Sequence, residues 1–100
     1  MLAAFSVAPT TAQSEDGSVS KAVAEAVRIV RDSGLPYETN SMFTTVEGEW
    51  DEVFAVIKQA TDAVTAVAPR VSLVVKADIR PGYTNQLEEK VQRVEEQLRA

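Results

Sequence analysis

Hydrophobic and polar residues follow two different periods along this chain. Residues 2–8 alternate between a bulkier set, Ala3, Phe5 and Val7, and a small set that includes Ser6, which is typical of a strand with one face on the core. Residues 9–17 are rich in Pro, Thr, Ser, Asp and Gly and predict a loop. Because the N-terminal residues have no leading positive charge and only a short apolar run, we expect an ordinary first strand and not a signal peptide.

Two longer segments repeat their apolar residues at the spacing of an amphipathic helix. The first begins at Ser18 or Ser20, either of which can cap it, and ends near Gly34, where a left-handed residue terminates many helices. The second runs from about residue 49 to residue 68. Its first turn contains carboxylates, which suit the positive end of the helix dipole.

A third helical segment, residues 85–99, differs from the other two because its apolar seam is narrow and flanked by charge. Asn85 followed by Glu88 predicts a capping box at its start. The seam residues are Leu87, Val91, Val94 and Leu98. We expect such a seam to need a partner, either the sheet of its own chain or another subunit.

Three further segments predict strands. Residues 35–40 and 42–47 form a hairpin with a tight connection near Asn40 and Ser41, and residues 70–80 alternate strictly between an apolar and a mixed face. Together with the first strand and the helices, they predict an α+β fold: a single domain over residues 1–100, built as a ferredoxin-like βαββαβ sandwich with an additional C-terminal helix.

Right-handed crossovers place both long helices on one face of this four-stranded antiparallel sheet and leave the other face bare. We expect Ser6, Ser72, Val74 and Lys76 to lie on the bare face. Self-association, sheet against sheet or third helix against a neighbour, is the simplest way to cover it. The alternative is a monomer whose third helix folds back across the sheet.

Composition narrows the class of protein. The chain has 100 residues, 45% of them hydrophobic, and a net charge of −5 with scattered basic residues, which argues against nucleic-acid binding. It has no Cys and no His, so thiolate or imidazole metal sites and Ser-His-Asp chemistry lack their usual residues. No apolar run is long enough to cross a membrane, and we expect a cytoplasmic protein without a metal or a cofactor.

The predicted hairpin contains several polar residues that do not suit a core. Because neighbouring strand residues face opposite ways, Tyr37, Asn40, Thr44 and Glu47 cannot all be buried, and some must face water, a subunit or a ligand. Glu47 has no evident local structural role. Tyr37 and Trp50, in contrast, are better explained as packing aromatics.

Four groups of residues carry a resemblance to a known family. They are Val7-Ala8-Pro9; Tyr37 with Met42-x-Thr44-x-x-Glu47-Gly48-Glu49-Trp50-x-Glu52; Arg70-Val71; and Lys90-Val91-x-x-Val94-Glu95. In these residues the chain resembles the small thiamine-binding protein family over nearly its whole length. The resemblance implies a ferredoxin-like homo-oligomer, commonly a tetramer, that binds thiamine or its hydroxymethylpyrimidine part without catalysis.

The implied pocket is lined by the open sheet face, near subunit contacts. Aromatic faces and a carboxylate suit the thiamine cation, while an amide and hydroxyls suit the aminopyrimidine. On this basis the predicted ligand-binding residues are Ser6, Tyr37, Asn40, Met42, Thr44, Glu47 and Trp50. A shift of the hairpin by one residue would select Ser41, Phe43 and Thr45 instead.

Two other functions remain open from the residues alone. The first is a structural or regulatory homo-oligomer whose bare sheet and third helix serve subunit contact only. The second is an enzyme, in which Glu47 and Glu49 would form an acid–base pair. Because Gly48 is expected to break the strand between these two carboxylates, the enzyme is the weakest of the three hypotheses.

Overall fold

Two helices pack on one face of a four-stranded sheet in the structure, a computed structural model that describes residues 1–9 and 18–100. The elements are, in chain order, β1 (Leu2–Pro9), α1 (Ser18–Asp32), β2 (Tyr37–Thr39), β3 (Thr44–Glu47), α2 (Trp50–Thr65), β4 (Val71–Asp78) and α3 (Gln86–Arg99). This order confirms the predicted ferredoxin-like α+β fold. The predicted loop at residues 10–17 lies outside the described residues.

The sheet order is β2-β3-β1-β4, with every neighbouring pair antiparallel. Phe5 lies opposite Thr44 on one side and Val75 on the other, and all three point toward the helices. Residues of the opposite parity, such as Ser6 opposite Val74, point away from the helices. We call these two sides the helix face and the open face.

The core lies between the helix face, α1 and α2. Small residues on α1 allow the helix to approach the sheet closely, and β-branched residues fill the remaining space. The buried apolar residues are Ala3, Phe5, Ala22, Ala26, Val30, Val46, Val53, Val56, Ile57, Ala60 and Val64. This set includes Ala3 and Phe5 of the bulkier residues predicted for β1, and the third, Val7, is partly buried against it.

The hairpin strands are shorter than predicted. Pro36 has no N–H to donate to a ladder, and β2 starts only at Tyr37. Residues 40–43 form the connection, so β3 starts at Thr44 and not at Met42. β2 therefore has three residues and β3 four, and the β2–β3 turn lies beside Val23, Ala26 and Val27 of α1.

The predicted capping box of α3 is wrong. Asn85 adopts a left-handed conformation with φ 57° and makes no side-chain cap. Instead, the Glu47 carboxylate at the end of β3 accepts hydrogen bonds from the backbone N–H groups of Gln86 at 2.8 Å and Leu87 at 3.1 Å. A strand-end residue therefore caps this helix.

The rest of α3 extends away from the sheet. Its seam residues Val91, Val94 and Leu98 are 57%, 58% and 73% exposed. Within the described residues, therefore, the helix does not fold back across the open face. Among the residues that the structure describes, no helix is long and apolar enough to cross a membrane.

Candidate functional site

A cavity of about 170 Å³ lies between α1, β1 and the β2–β3 turn, and we call it the turn cavity. Its walls come from three elements that meet at the start of β3. The lining residues are Phe5, Ser6, Val7, Val23, Ala26, Val27, Thr39, Asn40, Ser41, Met42, Phe43 and Thr44. Ser6, Asn40, Met42 and Thr44 of the predicted site thus come together here.

Two hydroxyl groups form the polar wall of the turn cavity. Thr39 and Thr44 are paired across β2 and β3, and their Oγ1 atoms share a hydrogen bond of 3.1 Å. Thr44 is only 7% exposed and lies on the helix face. Because each hydroxyl both donates and accepts, this pair can reorient to match either kind of ligand atom.

Asn40 shapes the β2–β3 turn. Its Oδ1 accepts hydrogen bonds from the backbone N–H groups of Met42 at 2.8 Å and Phe43 at 2.9 Å, and its own N–H donates to the Phe43 carbonyl at 2.9 Å. Asn side chains often close turns in this way. Asn40 therefore has a structural role, which leaves its side-chain NH₂ group as the part available to a ligand.

The edge of β1 provides further polar groups. β1 pairs with β4 along its full length, but its pairing with β3 ends at Phe5 opposite Thr44. Ser6 and Val7, which line the cavity, thus have no strand partner on the β3 side within the described residues. An unpaired strand edge alternates N–H donors and C=O acceptors.

The chemistry of the turn cavity is neutral. Among the described residues, none of those lining it carries an ionisable side chain. It offers apolar walls, an exposed thioether from Met42, an aromatic ring from Phe43 and a few hydrogen-bonding groups. Such a site suits a flat, uncharged heterocycle better than an ion.

Glu47 and Trp50 lie at the other end of β3. Both oxygens of the buried Glu47 carboxylate accept hydrogen bonds from the start of α3. Trp50 is exposed at the start of α2, with its ring centroid 5.0 Å from that of Phe54. Neither residue lines the turn cavity, and their part in binding stays a prediction.

Tyr37 is half-buried on the helix face, at the start of β2. Its hydroxyl accepts a hydrogen bond of 3.2 Å from Nε of Arg31 on α1. Tyr37 lies opposite Val46, two pairs away from Thr39 opposite Thr44. It packs against the core and does not line the turn cavity, so its predicted contact with a ligand is also untested.

A second cavity of about 140 Å³ lies beside the end of β4, and we call it the edge cavity. Here the Asp78 carboxylate accepts a hydrogen bond of 2.6 Å from Lys90, which lowers the pKa of Asp78 below its ordinary 3.8. The Arg80 guanidinium stacks 3.5 Å above the centroid of the Tyr83 ring. The charged side chains that line the edge cavity therefore already have partners within the chain, and we regard the turn cavity as the better site.

Several lining residues of the turn cavity were not predicted. Val23 and Val27 belong to the apolar repeat of the first helix, and Val23 is 39% exposed beside the cavity. Thr39 was missed because the turn was expected to be shorter. With a connection over residues 40–43, Thr39 and Thr44 become opposite residues, and this pair of threonines is the signal that could have revealed the site.

Comparison with known proteins gives a consistent result. Residues 3–95 match the family model described as thiamine-binding protein. A UPF0045 protein of Mycobacterium bovis is 50% identical over 99 residues, which are 98% of this chain and 94% of that protein.

Solved structures of other proteins have a fold similar to that of this chain. A hypothetical protein of Methanocaldococcus jannaschii superposes with a TM-score of 0.79 at 33% identity, and the match covers 95% of each chain. A candidate thiamine biosynthesis/salvage protein of Thermotoga maritima gives a TM-score of 0.74 at 28% identity, covering 93% of this chain and 96% of the other.

Proposed function

Because the chain belongs to the thiamine-binding protein family, we propose that it binds thiamine or the hydroxymethylpyrimidine part of thiamine in the turn cavity. The observation that carries the proposal is the convergence of Ser6, Asn40, Met42 and Thr44 on one neutral cavity. Membership of the family supports a thiamine-related ligand, and the residues that line the turn cavity support this location for it.

The hydrogen-bonding groups of the cavity match an aminopyrimidine. This ring carries an exocyclic amino donor beside ring-nitrogen acceptors. The unpaired edge of β1 at Ser6 and Val7 alternates donors and acceptors, and the Thr39–Thr44 pair can serve as either. A pyrimidine seated between Phe43 and Met42 would therefore find both its polar edge and its flat faces satisfied.

The size of the cavity favours burial of one ring. Its volume of about 170 Å³ is below the range of roughly 300–1,000 Å³ that is usual for drug-sized ligands. Since no carboxylate lines it, the cationic thiazolium gains nothing from entering. We propose that the pyrimidine is buried and the thiazolium remains at the mouth.

This location differs from the pocket predicted on the open sheet face. The register places Thr44 opposite Phe5 on the helix face, so the cavity opens between the sheet and α1. Ser6 takes part because it lies where β1 continues past Thr44, the first residue of β3. A position near a subunit contact stays part of the proposal.

We propose binding without catalysis. Acid–base chemistry needs a titratable group within reach of the ligand, and the described residues lining the cavity supply none. The two carboxylates considered for an enzyme already have structural roles. Glu47 caps α3, and Glu49 forms a reciprocal capping box with Glu52 at the start of α2.

Calorimetry with Thr44→Val tests the site. The substitution keeps the shape of the side chain and removes its hydroxyl, so we expect thiamine and hydroxymethylpyrimidine to bind about tenfold or more weakly than to the wild type. Thr45→Val is the matched control. It is the next residue on the same strand, half-buried on the open face, and should leave the affinity unchanged.

The outcomes separate the parts of the proposal. Equal loss of affinity in Thr44→Val and Thr45→Val would remove the turn cavity as the site. No heat from the wild type with either ligand would remove the binding function. Formation of a product from thiamine during prolonged incubation would show an enzyme.

The exposed seam of α3 favours one alternative, a structural or regulatory homo-oligomer without a small-molecule ligand. Val91, Val94 and Leu98 are apolar and uncovered in the described chain, as expected of a subunit contact. A binding protein can also be oligomeric, and the family resemblance implies a homotetramer. Sedimentation across a range of dilutions measures the assembly, and calorimetry decides whether a ligand accompanies it.

A further inference from the structure

Met42 carries the most exposed sulfur atom of the described chain. The chain has two methionines and no cysteine. Met1 packs against the hydrophobic core, whereas Met42 is 72% exposed in the β2–β3 turn. A peroxide dissolved in water therefore reaches the Met42 thioether far more easily than that of Met1, and no thiol of the chain competes for it.

The backbone beneath Met42 is held in place. Its N–H donates a hydrogen bond of 2.8 Å to Asn40 Oδ1, and the N–H of Phe43 donates one of 2.9 Å to the same oxygen. These bonds fix the point at which the Met42 side chain leaves the turn. Met42 thus lines the turn cavity although most of its side chain is in contact with solvent.

We propose that Met42 is a reversible oxidation site that controls ligand binding in the turn cavity. Its thioether sulfur takes one oxygen atom from a peroxide and loses two electrons, and the peroxide is reduced to water or to an alcohol. Methionine sulfoxide reductases return the sulfoxide to the thioether, while a dithiol is oxidised to a disulfide and water is released. The effect on binding rests on the proposed function, whereas the modification itself does not.

Oxidation of Met42 should weaken the binding of thiamine and of hydroxymethylpyrimidine. In the proposed arrangement Met42 meets a flat face of the pyrimidine, while the polar edge of the ring faces β1 and the Thr39–Thr44 pair. A sulfoxide oxygen would meet that face, where the ring has no donor for it. Its bound water would be removed without a replacement hydrogen bond, which opposes burial of the ligand.

The neighbouring groups of the turn do not compensate for this loss. The N–H groups of Met42 and Phe43 already donate to Asn40 Oδ1. The side-chain NH₂ of Asn40 is the donor that the turn leaves available, and a sulfoxide that accepts a hydrogen bond from it withdraws it from the ligand. Whether the sulfoxide oxygen is unpaired or bound to Asn40, the affinity for the ligand falls.

Peptide mass spectrometry of the folded protein measures the modification. We expect dilute hydrogen peroxide to add one oxygen atom to Met42 at least about tenfold faster than to Met1, because only Met42 is largely exposed. Saturating thiamine should slow the oxidation of Met42 several-fold, since the bound ring covers the thioether. It should leave the rate at Met1 unchanged.

Calorimetry before and after the peroxide step measures the effect on binding. We expect the oxidised wild type to bind both ligands at least about fivefold more weakly. Methionine sulfoxide reductases A and B with a dithiol should restore the affinity. Met42→Leu is the matched control, because leucine keeps the apolar bulk but has no sulfur. Whatever affinity this variant has, peroxide should not change it.

Four results would overturn the proposal. They are oxidation of Met42 no faster than that of Met1, oxidation of Met42 that saturating thiamine does not slow, oxidised wild type with unchanged affinity, and an equal loss of affinity in peroxide-treated wild type and Met42→Leu. No heat from the unoxidised wild type would remove the proposed function and with it the control of binding. The two oxidation rates would still decide whether Met42 is the modification site.

Discussion

At the residue scale, Glu47 connects the sheet to α3. Its carboxylate is buried and accepts two backbone N–H groups at a helix start, where the dipole favours negative charge. A residue that the sequence suggested for ligand binding thus has a structural partner 39 positions away. This contact gives α3 its position relative to β3.

Glu47→Gln should destabilise the fold. The amide keeps one acceptor but removes the charge and places an NH₂ group near backbone donors, so we expect a loss of about 1–2 kcal/mol in the free energy of unfolding. Urea denaturation measures this change. Glu38→Gln, on the exposed β2 strand, should change stability by no more than about 0.5 kcal/mol. Equal effects from the two substitutions would contradict the capping role.

Asn40 allows its structural and binding roles to be separated. Asn40→Ala removes the acceptor for Met42 and Phe43 and should lower stability by about 1 kcal/mol in urea denaturation. Asn40→Asp keeps that acceptor and should retain most of the stability. If the side-chain NH₂ contacts the ligand, Asn40→Asp should still bind thiamine more weakly, whereas unchanged calorimetry would restrict Asn40 to the turn.

Asp78 and Lys90 should make the position of α3 sensitive to acid. The hydrogen bond from Lys90, followed by its positive charge, lowers the pKa of Asp78 below 3.8. Since the pKa is lower in the folded state, the contribution of the pair to stability is present above the unfolded pKa, and it disappears as the pH falls through the folded value.

Carboxyl NMR across acidic pH tests this pair directly. We expect the Asp78 midpoint to lie below 3.8 in the wild type and to rise toward 3.8 in Lys90→Gln. The salt bridge is exposed, so this substitution should leave the fold intact. A midpoint that does not move would show that the pair does not form in solution.

At the scale of elements, Gly48 shows why the junction between β3 and α2 is tight. The sequence predicts that Gly48 breaks the strand before α2. A Cβ atom added there would lie 3.3 Å from Leu35 Cδ2 and 3.3 Å from Val53 Cγ2, so the constraint is close packing. Leu35 packs against the core, and Val53 belongs to it.

Gly48→Ala should therefore be destabilising, by about 1–2 kcal/mol, because the added methyl group overpacks the junction. Thermal or urea denaturation measures the change. A double variant with Leu35→Ala provides room for the methyl group and should recover part of the loss relative to Leu35→Ala alone. Strictly additive effects would contradict the packing explanation.

The strands also explain which parts of the hairpin were predictable. The alternation of residues 44–47 correctly indicated a strand, because burial on one face is encoded locally. The predicted ends of these strands were wrong because the side-chain oxygen of Asn40 accepts two backbone hydrogen bonds that stabilise a four-residue connection. Such chemistry depends on where the amide points in three dimensions, and periodicity does not contain this information.

At the scale of the whole molecule, the two ends of the sheet lie in different environments. One end of β3 opens on the neutral turn cavity, and the other carries the Glu47 cap and the Asp78–Lys90 pair. Most of the predicted site residues fall within residues 37–50 of the sequence but are divided between these ends. A four-residue strand spans about 10 Å, enough to separate Thr44 from Glu47.

The sequence by itself determined the order of elements, the faces of β1 and β4, the main core residues and the family. These features depend on hydrophobic period and short motifs, which are local properties of the chain. Only the tertiary structure decided that Glu47 caps α3 and that Thr44 pairs with Thr39 beside a cavity. Each of these depends on how distant backbone groups meet after the chain folds, and residue order alone does not specify those contacts.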